Sequence, residues 1–252
     1  MEIVSGRTGK PHVTSQQFRQ IIEGIIGDDS CILPSGENLE PELVSNNSLK
    51  IRSGMMCHHG NVSSVKIGTY DEVELTNGSQ GMKRIDLIVN RYTRNEEDNT
   101  EKNEWVVIMG TPAESIPVVP EYTQGDLQKG DLLDDCPVFE VHFDGINIVE
   151  VTKKLEIAKT NKELAAKLPV YGTTPIIETR ANSYKDTSVK FGKTFSKAPF
   201  VLLTLSGGSQ NTKTFAVQVK DVSTTGMTIR TVNGYSSSVS MFINWCALPK
   251  GV

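Results

Sequence analysis

The sequence predicts a mainly β protein with two short helical segments. Apolar side chains alternate with polar ones in short runs that begin near residue 41 and resume after Tyr171, as in strands with one buried face. A helical period is confined to residues 14–26 and 153–168. The expected parts are, in chain order, an N-terminal domain with a short helix and a β-rich region (residues 1–152), a linker helix (153–169) and a six-stranded antiparallel β-sandwich (170–252).

The first helix is predicted between Thr14 and Ile26. Thr14 and Gln17 have the spacing of a capping box, in which the two side chains satisfy free backbone N–H groups at the start of a helix. Gly27 comes directly after the last apolar residue and is typical of a helix end. Four apolar side chains fall on one helical face: Phe18, Ile21, Ile22 and Ile25.

The β-rich region follows this helix as short apolar runs separated by turn residues, among them Asn77-Gly78. The runs that predict strands are SLKIRSG, SSVKIGTY, RIDLIVNRY, EWVVIMG and PVFEVHF. Residues 111–135 interrupt the pattern with prolines, glycines and acids, which indicates a long surface loop.

The linker helix is predicted because residues 153–168 are rich in strong helix formers and precede Pro169. One face carries side chains at heptad spacing: Ile157, Asn161, Leu164 and Leu168. Such a seam favours a coiled coil of two or three chains, and we expect a homotrimer. A single amphipathic helix packed on its own domain is the alternative.

The last part of the chain contains six apolar runs at short spacing, namely TPIIE, SVKFG, FVLLTLS, TFAVQVKDV, GMTIRTV and VSMFINWCAL. Alternation is clearest in the fourth and sixth runs. The residues that share a face there are Phe215, Val217 and Val219 in one run and Val239, Met241, Ile243 and Trp245 in the other. These two faces are expected to meet in the core of the sandwich, which makes Trp245 a core residue.

Composition excludes several function classes. The formal net charge of -4 over 252 residues gives no reason to expect a nucleic-acid partner. No stretch approaches the roughly 20 apolar residues that span a bilayer, and the first residues lack an export signal, so we expect assembly in a cytoplasm and no membrane insertion. The four cysteines show no CxxC pair and are expected to be reduced thiols: Cys31, Cys57, Cys136 and Cys246.

Cys57, His58 and His59 include a potential nucleophile and potential metal ligands. In a strand, however, Cys57 and His59 share a face and His58 points away, which leaves too few ligands for a structural zinc. Three copies of His59 on the axis of a trimer would be another route to a metal. We expect no metal, no cofactor and no catalytic residues here.

Acidic residues near position 130 offer the other enzymatic hypothesis. Asp134 with Asp135, or Asp126 with Asp131, could serve as paired carboxylates for glycoside hydrolysis. Adjacent acids in a Gly/Pro-rich loop are usually solvated, and the D-x-D-x-D-G spacing of a calcium loop is absent. We therefore expect a protein that is not an enzyme.

Residues 188–249 resemble the H-type lectin family. The stretches that carry the resemblance are FGKTFSKAPFVLLTL, VQVKDVSTTGMTI and VSMFINWCAL. It implies a six-stranded β-sandwich, assembly as trimers, and binding of sugars such as N-acetylgalactosamine.

The family's sugar-binding residues are mostly missing from this sequence. Alignment on STTGM and FINW places Gln218 near the family's arginine, Asn233 and Tyr235 in a shortened loop, and Val239 near its tyrosine. Only Tyr235 keeps an aromatic ring suited to stacking on a sugar. Our candidate glycan site consists of Gln218, Arg230, Asn233 and Tyr235, with Arg230 as a forked donor for hydroxyls or for a carboxylate or phosphate.

Residues 4–152 are similar to the N-terminal part of tail-fibre and baseplate proteins of phages and prophages of Gram-positive bacteria. The stretches concerned are VSGRTGKPHVTS, LVSNNSLKIRSG, ELTNGSQGMKRIDLIVNRY and VVIMGTP. Together the resemblances imply a receptor-binding protein at the virion tail tip or baseplate, which docks to other tail proteins and adheres to a bacterial surface polysaccharide. The alternative is a structural fibre component whose lectin-like part mediates trimerisation or protein contacts.

Overall fold

A computed structural model describes residue 4 and residues 13–206 and 215–250. The chain divides into two units, Met1–Ala158 and Lys159–Val252, which we call the N-terminal and C-terminal units. The boundary falls within the segment expected to be a linker helix. Most of the stretch VSGRTGKPHVTS lies outside the described residues. Within the described residues, no helix is long and apolar enough to cross a membrane.

In its described residues, the N-terminal unit contains one helix and two antiparallel sheets of four strands each. Its elements are α1 (Ser15–Ile26), β1 (Cys31–Leu33), β2 (Pro41–Ser45), β3 (Ser48–His58), β4 (Asn61–Glu74), β5 (Lys83–Arg94), β6 (Glu101–Ile108), β7 (Leu133–Asp144) and β8 (Asn147–Lys153). The long strand β3 pairs with β4 along one edge and with β1 and β2 along the other. The second sheet has the order β6-β5-β7-β8.

The two sheets of the N-terminal unit share one hydrophobic core. Leu49, Ile51 and Met56 of β3 pack in the same cluster as Ile88 of β5 and Phe139 of β7, and all five are almost completely buried. Burial of one such side chain stabilises a fold by about 1.5–3 kcal/mol, so this cluster is the main source of stability of the unit.

An ion pair is enclosed at the start of β5. Arg84 and Asp86 lie two residues apart on one face of the strand, and their exposed fractions are 4% and 0%. Arg84 Nε and Nη2 donate to the two carboxylate oxygens of Asp86 at 2.7 and 2.9 Å, and the Gly110 N–H donates to Asp86 Oδ1 at 2.9 Å. The guanidinium also lies 4.4 Å from the centre of the Phe143 ring.

Helix α1 has the predicted caps but not a buried apolar face. Thr14 is its N-cap, with both capping-box hydrogen bonds to Gln17, and Gly27 is its C-cap. The buried residue of α1 is Arg19, which is 6% exposed and pairs with Glu101 at 3.1 Å. In contrast, three of the four predicted apolar side chains are exposed, Phe18 by 54%, Ile21 by 44% and Ile25 by 74%, and Ile22 is partly buried.

The C-terminal unit contains a short helix and two antiparallel sheets, one of four strands and one of three. Its elements are α2 (Asn161–Lys167), β9 (Val170–Thr173), β10 (Ile177–Thr179), β11 (Ser183–Lys190), β12 (Phe200–Ser206), β13 (Phe215–Val222), β14 (Gly226–Asn233) and β15 (Val239–Leu248). Strand β15 is central in the first sheet, between β12 and the pair β9 and β10. Strand β14 is central in the second, between β11 and β13.

The inner faces of these sheets form two apolar clusters, both of which contact Leu205, and the alternating residues of the last run are buried in them as predicted. Ile243 and Trp245 of β15 pack in the same cluster as Met227 and Ile229 of β14. Trp245 is 8% exposed, so its prediction as a core residue is confirmed.

The sequence did not predict strand β9, and it placed the start of β11 too late. β9 contains Gly172, which lies opposite Trp245 in the ladder. A Cβ at Gly172 would be 2.7 Å from the indole, so only glycine lets the backbone come this close. A glycine weakens the local strand signal, which explains why this edge strand was missed.

The linker helix is shorter than predicted. α2 begins at Asn161 and ends at Lys167, with Thr160 as N-cap and Leu168 as C-cap. Ile157 lies outside the helix and forms a β-bridge with Ile32. The proposed seam therefore is not one continuous helical face, because the segment before Thr160 follows the N-terminal unit. Leu164 and Leu168 are exposed by 47% and 62%, and the trimer remains a prediction.

Candidate functional site

A cavity of about 540 Å³ lies on the outer face of the three-stranded sheet in the C-terminal unit. Its lining comes from β11 and the residue before it, from β13, and from β14 and the loop that follows: Asn182, Ser183, Tyr184, Gln218, Arg230, Val232, Asn233 and Gly234. The lining combines an aromatic ring, a guanidinium, amides and a hydroxyl, which is a mixture that suits a polar ligand with some apolar surface.

Strand register places the central polar groups of this face in one row. Asp186 of β11 lies opposite Arg230 of β14, and Arg230 lies opposite Gln218 of β13. Residues directly opposite each other in antiparallel strands point to the same side of the sheet. The two predicted site residues Gln218 and Arg230 are therefore neighbours.

Arg230 is held in place by Asp186. Its Nε and Nη2 atoms donate to the carboxylate oxygens at 2.7 and 2.8 Å, and Lys220 Nζ adds a contact of 3.0 Å. The hydrogen bonds from Arg230 and Lys220 hold the pKa of Asp186 far below its usual range, and Asp186 in turn raises the pKa of Arg230. The charges of Arg230 and Asp186 compensate each other, and the remaining N–H groups of the guanidinium can serve another acceptor.

Tyr184 is the aromatic residue of the cavity, and sequence reasoning missed it. Its ring is 60% exposed, and the Arg230 guanidinium lies 4.2 Å from the ring centre. The signal was available, because Tyr184 and Asp186 are two residues apart and so lie on one face of β11. It was overlooked because the predicted strand began at Ser188, whereas β11 begins at Ser183.

The surroundings of the other two predicted site residues, Asn233 and Tyr235, indicate a role in stabilising the fold. Asn233 is 1% exposed, and its Nδ2 donates to the carbonyls of Thr179, Arg180 and Ser237. Its Oδ1 accepts the Tyr235 N–H at 2.8 Å, so the amide fixes the loop after β14 rather than facing a ligand. Tyr235 is half-buried, packs on the cluster that contains Phe215, and is not among the residues that line the cavity.

In the N-terminal unit, the acids that were expected to be solvated are partly enclosed. Asp134 and Asp135 belong to β7 and are each 1% exposed. Asp135 forms a bidentate pair with Arg91 at 2.6 and 2.9 Å. Asp126 and Asp131 stay in the loop, where Asp131 Oδ2 accepts the Asp126 N–H at 2.8 Å. The solvated-loop interpretation was therefore wrong for Asp134 and Asp135, because their strand lies against the core.

Asp134 also lies beside His58 and His59, which sequence reasoning had assigned to opposite faces of a strand. Burial raises the pKa of Asp134, but the His58 imidazole, the Gly125 N–H and His59 together lower it by more, so the net shift is downward. All four cysteines are free thiols. Burial raises the pKa of Cys136 to about 12, which makes it a packed and unreactive group.

Comparison with known proteins finds a family match within part of the C-terminal unit. Residues 186–248 match the H-type lectin domain. This lectin-like segment contains Asp186, Gln218 and Arg230 and begins just after Tyr184. No curated protein matches the chain.

Two solved structures of discoidin II from Dictyostelium discoideum are similar to the chain at low identity. The recombinant protein is 8% identical, with 79% of this chain and 82% of that chain covered and a TM-score of 0.29. The wild-type protein is 11% identical, with coverages of 74% and 78% and a TM-score of 0.28.

Proposed function

We propose that the C-terminal unit binds a hydroxyl-rich glycan in the cavity on its three-stranded sheet. The observation that carries this proposal is the fixed group of Tyr184, Asp186 and Arg230, of which Asp186 and Arg230 lie in the segment that matches a lectin domain and Tyr184 lies just before it. The ring offers an apolar surface to a sugar, the guanidinium offers donors, and Gln218 offers both a donor and an acceptor.

The pairing with Asp186 suits hydroxyl groups. Arg230 uses one edge of its fork on the carboxylate, and hydroxyl groups can donate to Asp186 and accept from the remaining N–H groups of Arg230 at the same place. Lys220 also pairs with Asp186, so one positive charge is in excess and an acidic group is accommodated as well.

In the complete proposal the chain is a phage or phage-derived receptor-binding protein that is not an enzyme. The N-terminal unit docks to other proteins of the tail tip or baseplate, and the C-terminal unit adheres to a surface polysaccharide of a Gram-positive host. The sequence resemblance of residues 4–152 to tail proteins supports this placement. In a homotrimer, three weak sites would raise avidity by roughly 10² to 10⁴ without new contacts.

The direct test uses the full chain and soluble wall oligosaccharides extracted from a panel of Gram-positive strains. Calorimetry with soluble ligand reports a single site, so avidity does not enter. Tyr184→Ala should weaken binding about tenfold or more through loss of the stacking surface, and Arg230→Gln should weaken it through loss of donors. Tyr171→Ala is the matched control, because Tyr171 is 80% exposed on the other sheet of the same unit. Equal affinities of all variants would refute the site.

One observation favours the structural alternative as a second candidate. The outer face of the four-stranded sheet exposes Tyr171, Phe200 and Leu202, and Tyr171 and Leu202 flank Cys246 in the ladder. Contiguous exposed apolar side chains favour protein contacts. If this face joins chains, Leu202→Glu should lower the mass measured by sedimentation while leaving the affinity for soluble glycan unchanged.

A further inference from the structure

A two-residue turn brings two adjacent histidines together. β3 ends at His58 and β4 begins at Asn61, and these two residues are paired, so His59 and Gly60 form the whole loop of the hairpin. Both have positive φ, 46° for His59 and 72° for Gly60, as in a type I′ turn. Successive side chains of a strand point apart, but a residue in this turn conformation does not follow that alternation.

Both imidazoles face one carboxylate from another strand. Asp134 Oδ2 lies 3.0 Å from His58 Nε2 and 2.9 Å from His59 Nδ1. The ring centres of the two histidines are 3.9 Å apart in a stacked arrangement. One ligand atom of each of the three residues lies within 4.8 Å of the others.

Neighbouring groups orient the two most buried members of this cluster. Ser30 Oγ lies 2.6 Å from His58 Nδ1, which leaves Nε2 as the nitrogen directed at Asp134. The Gly125 N–H donates to Asp134 Oδ1 at 2.9 Å, which leaves Oδ2 for the histidines. Metal ligands are commonly oriented in this way, with the second nitrogen of a histidine and the second oxygen of a carboxylate held by hydrogen bonds.

One feature of the cluster points to a further ligand. His58 Nε2 is buried and lies 3.0 Å from Asp134 Oδ2, yet it forms no hydrogen bond among the described residues. A bound ion would supply this nitrogen with an aligned partner. The left-handed conformation of His59 is what the type I′ turn requires, and it brings the second imidazole to the same carboxylate.

We propose that His58 Nε2, His59 Nδ1 and Asp134 Oδ2 bind one divalent transition-metal ion of the Zn²⁺ class. Imidazole nitrogens and a carboxylate oxygen are ligands that such ions prefer. Tetrahedral zinc places its ligand atoms roughly 3.3 Å apart. The two nitrogens lie 3.0 and 2.9 Å from the Asp134 oxygen, so these two distances would lengthen by a few tenths of an ångström, and the stacked rings would turn towards the ion. His59 has a side chain that is 38% exposed, which gives an ion and a water as fourth ligand access from solvent.

The ion would join the β3–β4 hairpin to the start of β7, and thus one sheet of the N-terminal unit to the other. This binding is independent of the glycan site, because every residue concerned belongs to the N-terminal unit. It replaces the sequence-based expectation of no metal, which rested on His58 and His59 lying on opposite faces of a strand.

The test is calorimetric titration of the chelator-treated full chain with Zn²⁺, together with thermal unfolding. We expect one ion per chain at this site and a higher Tm in its presence, since an ion that binds only the folded state stabilises it. His59→Asn should weaken binding by at least about 100-fold, because asparagine tolerates the positive φ but lacks the ligand nitrogen. Ser30→Ala should weaken it by about 10- to 100-fold through loss of orientation.

His142→Asn is the matched control. His142 also lies beside a carboxylate, with Nε2 at 3.4 Å from Glu140, but it belongs to no three-ligand group among the described residues. The His142→Asn variant should bind Zn²⁺ with the same affinity as the unmodified chain. Absence of Zn²⁺ binding by the unmodified chain would overturn the proposal, as would equal affinities of this chain and His59→Asn.

Discussion

The enclosed ion pair of β5 gives the sharpest stability prediction. Asp86→Asn keeps the shape of the side chain and an oxygen for the Gly110 N–H, but it removes the charge opposite Arg84. The guanidinium, which is 4% exposed, is then buried without a counter-ion. Breaking such a pair costs about 3–5 kcal/mol, because solvation cannot replace the lost partner.

The loss of unfolding free energy caused by Asp86→Asn can be measured by urea unfolding. With a slope of about 2 kcal/mol/M, the loss should lower the midpoint of the N-terminal unit by about 1.5–2.5 M. The chain has two tryptophans, Trp105 in the N-terminal unit and Trp245 in the C-terminal unit. A Trp245→Phe background therefore makes Trp105 emission a reporter of the N-terminal unit alone.

Asp144→Asn in the same background is the control. Its partner Lys83 is 3.6 Å away, and the two side chains are 58% and 46% exposed. Water screens an exposed pair, so its loss should cost less than about 1 kcal/mol. If Asp86→Asn shifts the midpoint no more than Asp144→Asn does, the reasoning from burial is wrong.

Two further predictions concern the C-terminal unit. Gly172→Ala should destabilise it by about 1–3 kcal/mol, measured by urea unfolding followed through Trp245 emission, because the added Cβ meets the indole. Arg230→Gln should raise the pKa of Asp186 towards its ordinary value in a carboxyl NMR titration, although Lys220 remains. Since the folded pKa is lowered, the contribution of this pair to stability is complete above the unfolded pKa of about 3.9 and is lost as the pH falls through the folded value.

Local patterns predicted the elements whose signals lie within a few residues. The capping box of Thr14 and Gln17 and the alternation of β15 both appear in the structure because hydrogen bonding and burial act on neighbours there. The length of α2 and the existence of the edge strand β9 were harder to predict, since tertiary contacts determine both. Ile157 pairs with Ile32, which is far away in sequence, and β9 exists through its pairing with β15.

The glycan and metal sites likewise combine features that the local sequence predicts with features that only distant contacts decide. Alternation placed Gln218 and Arg230 on one face, but the contribution of Tyr184 required the true start of β11 and its register with β14. The histidine cluster depended on a turn conformation at His59 and on a strand 75 residues later in the chain. Pairings between distant segments carry no local signature, which is why sequence reasoning saw the histidines but not their partner.

Helix α1 buries a charged side chain and leaves apolar side chains exposed, and this arrangement has an energetic consequence. The buried group of the helix is the Arg19 guanidinium, which pairs with Glu101 and lies 5.7 Å from the centre of the Tyr92 ring, while Phe18, Ile21 and Ile25 are exposed. Little of the unit's apolar burial therefore depends on the helix. Release of the helix would cost the Arg19–Glu101 ion pair, the contact of Arg19 with the Tyr92 ring and the hydrogen bond from Gln16 Nε2 to the Gln128 carbonyl. The apolar core cluster would stay intact, since it contains no residue of the helix.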